Sequence, residues 1–390
     1  MKVVILGFGA VGSVLAKLLA KEEQVEKIIC GDIKFSFKVH HKKITLKYLN
    51  FLEKSKFLKF LKKVKPDVVV NAALPKFNLE IMEACLKARV NYLDMASYWD
   101  IDKNPKAKVP YKMEQLDFDK SFEEADIMGL IESGVAPGLD NLLAAECASK
   151  LDEVDYIKIR MVEDTGSKEV FFSWNKDWLL DELATKPLVY YDKKFKVVEP
   201  FTDEEEYEFP KPIGKKKVAL FCQDEVGSIP FYIKTKNIDV KIHDNNINVS
   251  RFLVELGLAS NKKIKVREFE ISPVEVLSAV LPDSPPGSER KFPNSIFAIS
   301  VEALGKIKGK NKKIKYSVVF PRQREIEKMG LGANFISYPT ALSAKLFVMA
   351  IPKITKKGVF PPEALDKEIR KEILQELEKT NKTNVKIFKS

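Results

Sequence analysis

Histidine and cysteine are scarce in this chain, at three and four in 390 residues. His40, His41 and His243 stand away from every cysteine, and Cys30, Cys85, Cys147 and Cys222 form no Cys-x-x-Cys pair. Metal centres need clustered ligands at short spacings, so no metal site is expected. The cysteines lie in apolar or helical contexts. They read as buried free thiols of a reducing cytoplasm, not as a disulfide framework. Long apolar runs are missing too. No window of about 18 uninterrupted apolar residues occurs, so neither a transmembrane helix nor a membrane partner is expected. The stretch 341–354 is the most apolar, but Lys345 and Pro352 interrupt it, and it reads as a buried helix. The apolar start is too short for a signal peptide and contains glycines. No internal repeat and no nucleic-acid motif accompany the basic surplus of 66 Lys and Arg over 55 Asp and Glu. The lysines are scattered, often beside acids, as on solvated faces. They exclude specific nucleic-acid binding and suit the attraction of anionic ligands such as a nicotinamide coenzyme or a carboxylate.

What is present begins at once. An apolar strand at 3–6 runs into Gly7-Phe8-Gly9-Ala10-Val11-Gly12 and then into an amphipathic helix over 11–21. A second apolar run, 27–30, ends in Gly31-Asp32. This is a βαβ unit with the glycine spacing of a dinucleotide fold, and its acidic residue stands about 20 positions beyond the last glycine. Gly7 allows the tight turn, Gly9 admits a pyrophosphate to the backbone, and Gly12 lets helix and strand approach. The helix N-terminus offers N–H groups and a positive dipole end to the phosphates. Asp32 is placed to accept hydrogen bonds from ribose hydroxyls. It favours NAD over NADP, although Lys34 could meet a 2′-phosphate. Taken singly, such glycines also mark ordinary turns.

The strand–helix alternation continues through helices expected at 50–63, 79–88 and 111–124 and strands at 67–71, 91–94 and 126–131. It predicts a doubly wound parallel sheet, an α/β Rossmann domain over residues 1–133. Gly134-Val135-Ala136-Pro137-Gly138 breaks the rhythm. Residues 134–340 then read as an α+β substrate and dimerisation domain, with strands at 156–162, 217–222, 233–241, 295–304 and 313–320. Short helices are expected at 178–184, 248–256 and 273–279. Residues 341–390 read as C-terminal helices packing back on the Rossmann domain, with 358–363 a rigid turn before a charged helix over 362–380.

Sites in open α/β sheets lie beyond the C-terminal strand ends. Three such ends are candidates: Asn71 to Pro75, Asp94 to Tyr98, and Gly134 to Asn141. Position alone weighs a functional role and an ordinary polar loop about equally. Asp94 and Asp140 are the candidates for holding a substrate ammonium or transferring a proton. A helix-cap or turn role competes for each, most of all for Asp140 in the first turn of a helix.

The chain resembles the saccharopine dehydrogenase family, most of all its lysine 6-dehydrogenase-like branch. The resemblance rests on Gly7 to Gly12, on Val70-Asn71-Ala72-Ala73-Leu74-Pro75 with Asn78, and on Tyr92-Leu93-Asp94 with Ser97-Tyr98. It rests also on Gly134 to Asn141 and on Lys357-Gly358-Val359-Phe360-Pro361-Pro362-Glu363. It spans nearly the whole chain but is loose over 165–330. It implies an NAD(P)-linked oxidoreductase acting at a carbon–nitrogen bond of an amino acid, lysine or saccharopine, as a homodimer. It further implies coenzyme contacts from Asn71, Ala73, Leu74 and Pro75, and from Ala136, Pro137 and Gly138. The sequence departs from the pattern in the extra alanine at 72–73 and in the lack of a recognisable carboxylate clamp. Arg160, Arg251, Arg267, Arg322 and Arg324 are all open for that role. A carboxylated-polyamine reductase is the neighbouring alternative. A non-catalytic, redox-sensing dinucleotide binder is the alternative from another class, because no obvious His or Lys acid/base stands out.

Overall fold

The computed structural model describes residues 1–35, 39–97, 113–167, 169, 180, 182–183, 185–281, 288–380 and 385–390. Val3 to Leu6, apolar and fully buried, form the heart of β1 (Lys2–Leu6). There follow α1 (Ala10–Ala20), β2 (Lys27–Asp32), β3 (Ile44–Tyr48), α2 (Lys54–Val64), β4 (Val68–Asn71), α3 (Asn78–Ala88), β5 (Asn91–Asp94), α4 (Asp119–Glu124) and β6 (Met128–Leu130). All pair in parallel, and the chain returns near its end to add β17 (Gly358–Phe360) beside β6. The seven-stranded order is β17-β6-β5-β4-β1-β2-β3. Its direction of growth reverses between β1 and β4, and that switch point opens a crevice at the strand ends. The continuous run Val68-Val69-Val70 is fully buried, as a strand covered on both faces requires.

The second half starts with α5 (Leu139–Ala148), followed by β7 (Glu153–Asp164), the hairpin β8 (Leu188–Tyr191) and β9 (Lys194–Val197), then β10 (Glu205–Phe209) and β11 (Gly214–Leu220). A short helix α6 (Ile229–Tyr232) precedes β12 (Asn237–Asp244), α7 (Ile247–Glu255), the hairpin β13 (Ile264–Val266) and β14 (Phe269–Ile271), and α8 (Pro273–Val280). Then come β15 (Ile296–Ile307), β16 (Lys310–Val319), α9 (Gln323–Lys328), α10 (Ser337–Ala350), α11 (Lys367–Lys379) and β18 (Lys386–Lys389). The main path of this sheet is β10-β11-β12-β7-β15-β16-β18, antiparallel except for β12 on β7. The architecture is α/β, with a parallel dinucleotide sheet beside a mixed, largely antiparallel second sheet. One apolar cluster runs from β1 and α1 through α5, β7 and β15 to α10 and α11, so the halves share a core. Lys345 on α10 pairs with Glu22 beyond α1 at 2.7 Å.

Several elements differ from the sequence expectations. Residues 358–360, expected as a turn, are strand β17, because their backbone pairs with β6. The expected strand 233–241 starts only at Asn237, since Pro230 opens α6 instead. The helix expected at 50–63 begins at Lys54, and the part of 111–124 that is described is a 3-10 turn, Glu114–Phe118, before α4. The helix expected at 362–380 starts at Lys367, after a 3-10 turn at Pro362–Ala364. Tyr98, the lysine-rich loop at 101–110 and most of the helix at 178–184 lie outside the described residues. Among the described residues no helix is long and apolar enough to cross a membrane, and no group of His, Cys, Asp and Glu could hold a metal ion.

Candidate active site

The crevice at the switch point is a cavity of about 630 Å³. Gly7, Gly9, Ala10 and Val11 line it from the β1–α1 turn, Asp32 from the end of β2, and Asn71, Ala73, Leu74 and Pro75 from the end of β4. Ala136 and Pro137 line it from the connection into the second half, and Thr340 from α10. A Cβ on Gly12 would lie 2.0 Å from the Gly7 carbonyl oxygen, so only glycine lets the helix sit this close to the strand. A Cβ on Gly9 would meet nothing within 4 Å, because it would project into open space at the helix N-terminus. That space, faced by the first amides of α1, is the cradle a pyrophosphate needs. Phe8 and Gly12 do not line the cavity. The Phe8 side chain is buried against Phe35, and its backbone N–H donates to Asp32.

The β4 end is held by amides. Asn71 Nδ2 donates to Asn78 Oδ1 at 2.7 Å, Tyr92 donates its hydroxyl to the same oxygen, and the Ala73 N–H donates to Asn71 Oδ1. Asn78 Nδ2 in turn donates to the Ala96 carbonyl at 2.9 Å. The Asn-Ala-Ala-Leu-Pro segment thereby takes a fixed course along the cavity wall, and its extra alanine is accommodated.

Asp94, at the end of β5, lines the cavity and is almost fully buried. It accepts from Gln115 Nε2 at 2.6 Å and from the Glu132 N–H at 2.8 Å. Burial pushes its carboxyl up to about 7, against those two hydrogen bonds. Asp140 does not line the cavity. It sits in the first turn of α5, where Oδ1 accepts from the N–H groups of Gly138 and Asn141 at 2.9 and 2.8 Å. Burial lifts it to about 6. Gly138 likewise stands behind the wall, with φ +136° and no room for a Cβ between the Gly134 and Glu132 backbones.

None of the five arginines considered as a carboxylate clamp lines the cavity. Arg160 is buried in the second sheet, bonded to Asp239 at 2.8 Å and to Glu205, and Arg251 pairs with Glu204. Arg322 and Arg324 donate to Asn294, and Arg267 is exposed at the β13–β14 turn. The described residues of the wall bring Asp32, Asp94, Glu182 and Asp224 and no lysine, arginine or histidine. Sequence reading missed Asp224, whose carboxylate accepts the Ser97 N–H at 2.9 Å, and the buried acids Glu132, Glu225 and Glu363 behind it. No sequence spacing signals them. They come from three separate connections, after β6, after β11 and after β17, and only folding brings them together.

Residues 3–130 match the saccharopine dehydrogenase NADP binding domain, and residues 134–382 match the saccharopine dehydrogenase C-terminal domain. A carboxynorspermidine synthase of Vibrio alginolyticus is 29% identical over 94% of this chain and 92% of its own length. A carboxyaminopropylagmatine dehydrogenase of Synechocystis sp. is 27% identical over 94% and 93%. The structure of saccharopine dehydrogenase (L-Glu forming) from Saccharomyces cerevisiae superposes with a TM-score of 0.68 at 12% identity, covering 100% of this chain and 99% of that one, a likeness of fold. The chain belongs to the saccharopine dehydrogenase family and is an NAD(P)-dependent oxidoreductase acting at a carbon–nitrogen bond.

Proposed function

We propose that this enzyme reductively joins an aliphatic diamine, or a guanidino-amine, to an aldehyde carrying an α-amino acid group, giving a carboxylated polyamine. The observation that carries this reading is the cavity wall. Its described residues supply carboxylates and no cation, which suits a substrate with several ammonium groups and ill suits saccharopine with its three carboxylates. The two relatives, whose names both specify a carboxylated amine, point the same way. The lysine or saccharopine substrate expected from sequence gives way to the polyamine alternative.

When bound, the nicotinamide supplies the hydride. The chain's own residues do the rest. The α1 N-terminus and the Asn71–Pro75 segment hold the coenzyme, and Gly138 shapes the turn behind Ala136 and Pro137. Asp224 and Glu182 hold the distal ammonium. Asp94, poised near neutrality, takes the proton from the attacking ammonium and returns it to the departing hydroxyl. Asp140 positions α5. Asp32 favours NADH by repelling a 2′-phosphate.

The assay follows reduced-nicotinamide absorbance with 1,3-diaminopropane or agmatine plus aspartate β-semialdehyde, against lysine and saccharopine. Turnover of the amine–aldehyde pair is expected to exceed that of either amino acid. Preference for saccharopine would reject this reading.

A second copy of the chain is the proposed partner. Val249 and Phe252 on α7, Ile264 and Phe269 on the β13–β14 hairpin, and Val276 and Val280 on α8, three elements consecutive in the chain, are each exposed. An isolated two-stranded hairpin is marginal in water, so this face is suited to burial against its own equivalent.

A further inference from the structure

Behind the wall of the coenzyme cavity the polar groups form a line. Ser97, on that wall, donates its hydroxyl to Glu132 Oε1 at 3.1 Å. Glu132 Oε2 lies 3.0 Å from Ser228 Oγ, and the same hydroxyl contacts Glu363 Oε1. Glu363 is on the wall of a second cavity, also of about 630 Å³, bounded by Leu151, Tyr232, Lys236 and Arg370. Its other oxygen, Oε2, is buried and has no hydrogen-bond partner. We propose that Ser97, Glu132, Ser228 and Glu363 form a proton path joining the coenzyme cavity to the second cavity.

The hydrogen count supports a mobile proton. A serine hydroxyl has one hydrogen to donate. Ser228 already accepts from Asn141 Nδ2 at 3.2 Å, and it stands between two carboxyl groups. It can donate to only one of them, so the other contact holds only if that carboxyl carries a proton. No ion pair among the described residues reaches Glu132 or Glu363, and the titratable groups facing them are Asp94, Asp140, Asp224 and Tyr232. Burial and these neighbours push Glu132 well above the carboxylate range and Glu363 to about 7, so the line holds a proton at neutrality.

The chemistry needs such a supply. An aldehyde and an ammonium condense to an iminium and one water. The hydride then gives a neutral secondary amine, which takes up one proton to become an ammonium. Each turnover therefore draws in one proton, and the reverse reaction expels one. Glu363 gives its proton to Ser228 as Ser228 passes its own to Glu132. Glu132 has by then handed its own proton to Ser97, while Ser97, its hydroxyl hydrogen turned toward the cavity, gave that hydrogen to the amine nitrogen. Water in the second cavity recharges Glu363. Any carbon–nitrogen hydride transfer has this balance, so the path does not rest on the polyamine reading.

The test compares the full-length wild type with Ser228→Ala, Ser228→Thr and Glu363→Gln, using whichever of the diamine–aldehyde pair, lysine or saccharopine the wild type turns over. Ser228→Ala and Glu363→Gln are expected to lower kcat ~10–100-fold and enlarge its solvent deuterium isotope effect, with coenzyme KM unchanged. Ser228→Thr keeps the hydroxyl and is expected to recover most of kcat. Should Ser228→Ala fail to fold, Glu363→Gln interrupts the same path at its other end. Wild-type kcat and isotope effect in either interrupted variant would overturn the path, whatever substrate is used.

Discussion

The Phe8 amide donates to Asp32 Oδ2 at 2.6 Å, and Asp32 Oδ1 accepts from the amides of Ile33 and Lys34 at 2.7 and 3.1 Å. One carboxylate thus ties the glycine turn to the end of β2 while facing the cavity. Asp32→Ala is expected to narrow the NADH-over-NADPH preference and also to destabilise the protein by roughly 1 kcal/mol, since the part-buried Phe8 amide loses its acceptor. KM values for both coenzymes and thermal melting check this. An unchanged preference with lowered stability would leave Asp32 a purely structural anchor.

Gly9 and Gly12 separate binding from folding. Gly9→Val projects into open cavity space and should lower coenzyme affinity at least ~100-fold with the melting temperature nearly unchanged. Gly12→Val drives a side chain into the Gly7 carbonyl and should unfold or strongly destabilise the protein. Fluorescence titration with NADH beside thermal unfolding distinguishes them. Full coenzyme affinity in Gly9→Val would remove the glycine cradle from the binding site.

Stability should fall as pH rises. Asp140, Asp94 and Glu363 are lifted by burial to about 6, 7 and 7, so folding favours their protonated forms. That contribution is complete below the ordinary carboxylate range and is lost as pH climbs through 6 to 7, at roughly 1.4 kcal/mol for each tenfold gain in proton affinity. The coenzyme-free protein is expected to melt lower at pH 8 than at pH 5. A melting temperature that is flat or rises over that interval would contradict it.

Asp224 offers a carboxylate to the cavity. Asp224→Asn should raise KM for the amine ~10–100-fold, the worth of one charge-assisted hydrogen bond, and leave coenzyme KM alone. Steady-state kinetics with the amine varied decide it. An unaffected amine KM would place the ammonium elsewhere.

The exposed apolar face predicts the oligomeric state. Sedimentation of the wild type should give a dimer, and Phe252→Lys with Phe269→Lys a folded monomer. A wild-type monomer would dismiss this interface.

The sequence made the first sheet legible because parallel strands and helices write local patterns: the Val3–Leu6 and Val68–Val70 runs, the glycine turn, the helix between them. The positions of Asn71, Asp94 and Ala136 around one crevice followed from strand ends alone. The wall's charge was not legible, because Asp224 and Glu182 converge from distant segments and carry no spacing. The arginines misled for the same reason. Arg160 looks available in sequence, yet pairing of β7 with β12 seals it against Asp239. Strand β17 was hidden because three residues show no alternation; only their partner β6 makes them a strand.

The late return of the chain ties its two halves into one folding unit. Gly358–Phe360 completes the edge of the first sheet, and Lys386–Lys389 completes that of the second. A ribosome must therefore release residue 360 before the first sheet gains its edge, and residue 389 before the second does. Nascent chains stopped short of β17 would expose the β6 margin to foreign strands, and deleting the tail should injure nucleotide capture although none of its described residues lines the cavity.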